Sequence, residues 1–89
     1  MADLVRLKTG VAWQHVEGEV VALDLASAAY MLANDTGSLL WPLVAEGATE
    51  ARLVEELTAH FALDPEQARA DVRAFVDQLR TLALVEGGE

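Results

Sequence analysis

Two histidines, two serines and no cysteine bound the chemistry open to this chain. His15 lies in an expected strand and His60 at an expected helix end. Neither belongs to a His-x-x-x-His pattern that would hold a metal. Both read as structural or surface histidines rather than as ligands or acid–base groups. Ser27 and Ser38 stand outside any Gly-x-Ser-x-Gly turn, so no activated hydroxyl is indicated. The glycines are scattered, with no Gly-x-Gly-x-x-Gly or Walker run to cradle a phosphate. Glu50, Glu55, Glu56, Glu66, Asp71 and Asp77 recur at helical spacing, which is the signature of solvated helix faces. Without cysteine there is no thiolate nucleophile, redox pair or thiolate zinc site. The expectation is a binding module with no catalytic residue, no metal and no cofactor.

Composition narrows what such a module could bind. The 89 residues carry 15 acidic and 6 basic side chains, a net charge of −9. A nucleic-acid surface needs cations to displace counterions from phosphate, so that class is disfavoured, as is an anionic membrane. Apolar residues make up 53% of the chain, enough for one small core but not two. The longest apolar stretches, such as Leu39–Ala45, are too short to span a bilayer. The N-terminus shows no basic segment followed by an apolar one. The expectation is one soluble cytoplasmic domain over residues 1–89, ordered from about 4 to 85.

The elements that would position a binding surface follow from the pattern. Val11–Val16 and Glu19–Leu25 read as a hairpin about the turn at Glu17-Gly18. Ala26-Ser27 is a second short turn, and Ala28–Ala33 reads as a third strand despite its alanines. Leu4–Lys8 adds a short extra strand ending at Thr9-Gly10.

Asn34 or Asp35 caps a first helix running to about Ala45. Pro42 lies inside it, and Gly47 ends it in a left-handed conformation. Thr49 caps a second helix to about His60, with Leu53, Val54, Leu57 and Phe61 on one face. Asp64-Pro65-Glu66-Gln67 starts a third, with Asp64 at the N-cap, Pro65 at the first helical position and Gln67 as capping-box partner. Its core stripe is Ala68, Val72, Phe75, Val76, Leu79 and Leu82. Ala83-Leu84-Val85 closes the ordered part, and Glu86–Glu89 is expected to fray. A three-stranded antiparallel sheet followed by three helices is an α+β, winged helix-turn-helix-like arrangement, in which the small sheet must lay one face on the helices.

Two candidate surfaces emerge. Arg69, Arg73 and Arg80 fall with Val76 in a sector of about 60° on the third helix. This stripe reads either as solvated and paired with neighbours such as Glu66 and Asp77, or as a guanidinium row for a peptide bearing carboxylates. The third strand, if it lies at the sheet edge, offers unpaired N–H and C=O groups to an incoming strand; a protected edge that binds nothing is the other reading.

Several stretches then carry a family signal. They are Val20–Leu25, Tyr30 with Asn34, Thr36-Gly37-x-x-Leu40-Trp41 and Glu46-Gly47-Ala48-Thr49. After these come Asp71-Val72-x-x-Phe75-Val76-x-x-Leu79 and the closing Leu82-Ala83-Leu84-Val85. In this order and spacing the sequence resembles the PqqD-like domain, also called the RiPP recognition element, from about Val11 to Val85.

The resemblance implies a non-catalytic domain that binds the leader segment of a ribosomally made precursor peptide. The leader would add as a strand to the third strand beside the third helix. The peptide-binding residues it implies are Ala28, Ala29, Tyr30, Met31, Leu32 and Ala33, with Arg69, Val72, Arg73, Val76 and Arg80. On that reading Arg73→Glu weakens leader binding. The Leu-Asp-Leu and Tyr…Asn-x-Thr-Gly-x-x-x-Trp runs are more similar to the stand-alone lasso-peptide type, whose partners are a leader peptidase and a macrolactam synthetase. The alternative within the family is a chaperone partner of a radical-SAM peptide-modifying enzyme. Outside it, the alternatives are a DNA-binding winged helix and a subunit that only stabilises an enzyme. The sequence departs from relatives at Ala33, often leucine there, in its alanine-rich third strand and in Pro42 after Trp41. A one-residue slip of that strand exchanges its faces, so the set of Tyr30, Met31 and Leu32 that faces the groove stays open.

Overall fold

The computed structural model describes residues 4–28 and 30–86. Strand β1 (Arg6–Leu7) leads into a hairpin of β2 (Val11–Val16) and β3 (Glu19–Asp24), and β4 (Tyr30–Leu32) follows. Helices α1 (Asp35–Glu46), α2 (Glu50–Phe61) and α3 (Pro65–Thr81) come next, and β5 (Val85–Glu86) closes the chain. The main sheet is antiparallel in the order β2-β3-β4, which leaves β4 at an edge. The expected three strands and three helices are therefore present in the expected order.

Register in the sheet is set by burial. Ala22 lies opposite both Trp13 and Met31, and residues opposite one another share a face. Val20, Ala22 and Met31 are buried on the helix side. Leu23 opposite Tyr30, and Val21 opposite Leu32, therefore lie on the outer face. There Tyr30 keeps 72% and Leu32 62% of its surface exposed, against 8% for Met31. The register left open by the sequence thus has Met31 inward and its two neighbours outward.

The third strand is shorter than expected. Leu25 leaves β3 to donate to the Gly10 carbonyl at 2.9 Å. Ala28 lies outside β4, with φ of 61°. The cause is Asp24, which builds a tight turn around itself. Its carboxylate accepts from the Ala26 N–H at 3.0 Å and the Ser27 hydroxyl at 3.1 Å. Its carbonyl accepts from the Ala28 N–H at 2.7 Å. These bonds hold Ala28 in the left-handed region, which an L-residue enters only at a cost. Ala29 falls outside the described residues.

Residues near the two ends of the described chain form a second sheet. Arg6 pairs with Glu86 and Leu7 with Val85, so Glu86 belongs to a strand; 87–89 fall outside the described residues. Buried Val5 bonds reciprocally to Ala48 at the α1–α2 junction, with N–O distances of 2.7 and 3.0 Å.

The helix starts follow local chemistry with one exception. Asn34 Oδ1 accepts from the Gly37 N–H at 2.9 Å, and Thr49 Oγ1 from the Arg52 N–H at 3.1 Å. Asp64 makes no side-chain cap bond, and the Gln67 side chain does not complete a capping box: its Nε2 reaches forward to Asp71 Oδ1 at 2.9 Å. The end of α3 is a Schellman motif: the Leu84 N–H donates to the Leu79 carbonyl at 2.9 Å, with Ala83 left-handed at φ 57°. That turn swings Leu84 into the core and leaves the expected core residue Leu82 on the surface. Phe61, the last residue of α2, is likewise exposed. The core gathers Leu40, Trp41, Val44, Leu53, Leu57, Val72, Val76 and Leu79 beneath the sheet.

Candidate functional site

The β4 edge is built by its bond to β3. The Ala33 N–H donates to the Val20 carbonyl at 2.9 Å. The reciprocal bond is bridged by a side chain: the Val20 N–H donates to Ser38 Oγ at 2.9 Å, and that hydroxyl donates to the Ala33 carbonyl at 3.2 Å. Bonded pairs alternate along an antiparallel ladder, so the next bonded pair after Val20 and Ala33 is Ala22 and Met31. Met31 therefore spends its N–H and C=O on β3. Those of Tyr30 and Leu32 point outward, off the free edge of the sheet.

A cleft runs beside that edge, between the β4–α1 junction and one flank of α3. One depression, of about 110 Å³, is lined by Met31, Leu32, Ala33, Asn34, Gly37, Phe75 and Gln78. A second, of about 210 Å³, is lined by Asn34, Thr36, Asp71, Ala74, Phe75 and Gln78. The two share Asn34, Phe75 and Gln78, so they form one trough along the helix. Each is smaller than the ~300 Å³ usual for a small-molecule site, and suits single side chains of an extended segment. Phe75 forms the floor, packed edge-on to Trp41 with ring centroids 6.2 Å apart. Gly37 is needed there, because a Cβ would meet Phe75 Cε1 and Ala33 Cβ at 3.1 Å.

The expected site residues divide between this trough and other places. Met31, Leu32 and Ala33 line it, and Tyr30 lies on the edge beside it. Ala28 belongs to the Asp24 turn, and Ala29 falls outside the described residues. Val72 and Val76 are core residues with no more than 1% of their surface exposed.

The arginine stripe lies on the opposite flank of α3, toward α2. Arg73 Nη2 meets Glu50 Oε1 at 3.3 Å, and Arg80 Nη2 meets Glu50 Oε2 at 3.8 Å. Arg80 also bonds Asp77 Oδ1 at 3.4 Å. Arg69 and Arg73 border a separate groove with Glu50, Ala51, Val54 and Ala70. At about 100° per residue, Arg73 stands some 200° round the helix from Asp71. The expectation that the stripe flanks the strand groove is corrected on this geometry: once Val72, Phe75, Val76 and Leu79 face the core, Asp71, Ala74 and Gln78 turn to β4 and the arginines turn to α2. The residues that sequence reasoning missed in the trough are Asn34, Thr36, Gly37, Asp71, Ala74, Phe75 and Gln78. The periodicity of α3 already grouped Asp71, Ala74 and Gln78 on one flank.

The other charged and polar groups are accounted for elsewhere. His15 and His60 come to one shallow depression of about 430 Å³, with Asp35, Ser38, Leu39, Pro42 and Phe61. Among the described residues no group of three His, Cys, Asp or Glu side chains could hold a metal ion. Buried Asp24 pairs with Lys8 Nζ at 2.9 Å. That hydrogen bond, with those from Ala26 and Ser27, lowers its pKa below the ordinary carboxylate value against the opposing effect of burial. No helix among the described residues is long and apolar enough to cross a membrane.

The family described as coenzyme PQQ synthesis protein D (PqqD) matches residues 19–85. The chain belongs to the PqqD family. The match takes in β3, β4 and all three helices, and hence both walls of the trough. A solved structure described as "TbiB1 in Complex with the TbiA(beta) Leader Peptide" is similar at 28% identity and a TM-score of 0.84, over 91% of this chain and 94% of that one. Another, "Lasso peptide synthetase B1 complexed with the leader peptide", is 24% identical with a TM-score of 0.80, over 92% and 96% of the two chains; at that identity the likeness concerns the fold. No curated protein matches the sequence.

Proposed function

We propose that this PqqD-family protein binds the leader segment of a ribosomally synthesised precursor peptide, in lasso-peptide maturation, by strand addition to β4 beside α3. The observation that carries the reading is the free β4 edge. Tyr30 and Leu32 present outward backbone groups along the lip of a trough sized for side chains. The chain's likeness to a protein solved with a leader peptide supports the ligand class; the lasso type is favoured over a radical-SAM partnership by the Leu-Asp-Leu and Tyr…Asn-x-Thr-Gly-x-x-x-Trp runs. Backbone bonds to the edge supply affinity indifferent to sequence, and the trough reads alternate side chains. The mechanism is positioning. A tethered leader raises the effective concentration of the segment that follows it at the enzyme that modifies it.

Delivery to a leader peptidase and a macrolactam synthetase needs a surface that the leader leaves open. The outer sheet face bears exposed Leu23, Tyr30 and Leu32 and is continuous with the edge, which supports that step. No chemical step is assigned to the chain itself. A DNA-binding role is disfavoured by the net charge of −9 and by the pairing of Arg73 and Arg80 with Glu50.

Calorimetric titration with the leader encoded beside this gene tests the proposal, together with amide exchange. Micromolar or tighter binding, lost on scrambling the leader, with new protection at the Tyr30 and Leu32 amides, is the expected result. Absence of heat and of protection, repeated with the partner peptidase present, overturns it.

A further inference from the structure

The trough has an electrostatic character opposite to that of the arginine stripe. Of the residues lining its two depressions, Asp71 alone is charged. Asp71 is partly exposed beside Ala74, Phe75 and Thr36, and its carboxylate is oriented by the exposed bond from Gln67 Nε2 to Oδ1. Among the described residues no cation pairs with it. Lys8 is engaged by Asp24, Arg52 by Glu56 at 3.1 Å, and Arg73 and Arg80 by Glu50. Arg69 borders the groove on the α2 side, and Arg6 packs against Gly47. The groups facing Asp71 across the trough, Asn34 and Thr36, are neutral. An oriented carboxylate over an aromatic floor, with one oxygen unengaged and no counter-charge, is an acceptor awaiting a donor. Charge-assisted hydrogen bonds to a carboxylate are stronger than neutral ones. The net charge of −9 further favours the approach of a cationic segment and opposes an acidic one.

We infer that the peptide this trough accepts carries a lysine or arginine beyond its strand-pairing residues, and that Asp71 is the specificity-determining residue that reads it. The inference rests on the leader-binding reading and refines it by naming the chemistry of the ligand. Asp71 and Gln78 are separated by about 10 Å along the helix axis, which an extended chain covers in about three residues. The cation therefore stands about three residues from the side chain that enters between Met31 and Gln78. A carboxylate at that position of the peptide would meet Asp71 and be rejected.

Selection of random 15-residue peptides by display on the full chain tests this, run in parallel on wild type, Asp71→Asn and Asp71→Lys. Circular dichroism melts confirm that the variants fold. Amide protection at Tyr30 and Leu32 identifies the peptides that occupy the β4 edge. Edge-binding peptides from wild type are expected to fix Lys or Arg at one position relative to their apolar anchor. Replacing that residue by Gln should weaken binding about tenfold to wild type, as for loss of a charged hydrogen bond, and less than about twofold to Asp71→Asn. Asp71→Lys should select Asp or Glu at the same position. Edge-binding peptides without a positional cation, or a lysine preference that survives Asp71→Asn, overturn the inference while leaving leader binding intact. Failure to recover any edge-binding peptide counts against the leader-binding reading itself, and the inference falls with it.

Discussion

Ser38→Ala is the perturbation whose cost can be worked most directly from the geometry. The Ser38 hydroxyl sits inside the β3–β4 ladder, accepting from the Val20 N–H at 2.9 Å and donating to the Ala33 carbonyl at 3.2 Å, with both bonds buried. Alanine keeps the helix and slightly favours it, by about 0.5 kcal/mol. It also leaves a backbone donor and a backbone acceptor without partners. Each such orphan costs about 1–3 kcal/mol, and partial closure of the ladder recovers some of it. The expected net loss is about 2–3 kcal/mol. For a chain of this size that lowers Tm by about 10–20 °C, a large share of the stability of a small domain.

Urea denaturation followed by circular dichroism gives the free energy. Amide exchange gives its location: Val20 and Ala33 should exchange faster than the α2 and α3 amides lose protection. Ser38→Cys, with a weak donor of similar shape, should fall between the two. A loss under about 0.5 kcal/mol would refute the reasoning, because it would mean that Val20 and Ala33 bond each other directly once the hydroxyl is gone. Because Ser38 fixes the end of β4, the variant should also bind leader more weakly under conditions where it remains folded.

Three other outcomes follow from the same structure. Leu32→Pro removes an outward N–H without breaking a bond to β3, so it should reduce leader affinity about tenfold or more by titration and shift Tm little; Leu32→Ala, which keeps the N–H, should bind far better. Arg73→Glu should leave leader affinity within about twofold by fluorescence titration, since its 3.3 Å partner is Glu50 on α2 and exposed pairs contribute about 0–1 kcal/mol to stability. Asp24, with its folded pKa lowered chiefly by the Lys8 hydrogen bond, stabilises the fold fully above the unfolded carboxylate pKa near 3.9, and this contribution is lost as pH falls through the lower folded value. Asp24→Asn should therefore flatten the acid limb of a pH–stability curve measured by urea melts, and an unchanged limb would assign acid sensitivity to other carboxylates.

Much of the architecture was legible because it rests on local chemistry. Asn34 and Thr49 cap their helices by the bonds expected of those side chains, and Glu17-Gly18 turns the hairpin. The failures share a cause: competition between possible partners, near or far along the chain, decided them. Ala28 looks like a strand residue until the Asp24 carbonyl draws its N–H into a turn. Gln67 looks like a capping-box partner, but Asp71 is within reach one turn onward and takes its amide. Arg6–Leu7 finds its partner at the far end of the chain, in a two-residue strand too short to leave a pattern.

The site was half legible for a related reason, and α3 shows why. Periodicity groups residues into faces but does not say what each face meets. The core stripe of α3 has two flanks, one bearing Arg73 and Arg80 and the other Asp71 and Gln78, and both border buried residues equally well. Connectivity separates them. The α2–α3 link is short, so one flank must meet α2, where Glu50 at the start of that helix gathers two arginines. The opposite flank is then left for the sheet, and because β4 runs directly into α1 through Asn34, its edge and the start of α1 meet Asp71, Ala74 and Gln78. Charge abundance therefore misleads about recognition in this chain. Where cations are few, Arg73 and Arg80 are engaged by Glu50 within the fold, while the charge that faces the open trough is an acid with no cationic partner among the described residues. What the trough selects is set by the charge left unanswered, and here that charge is negative.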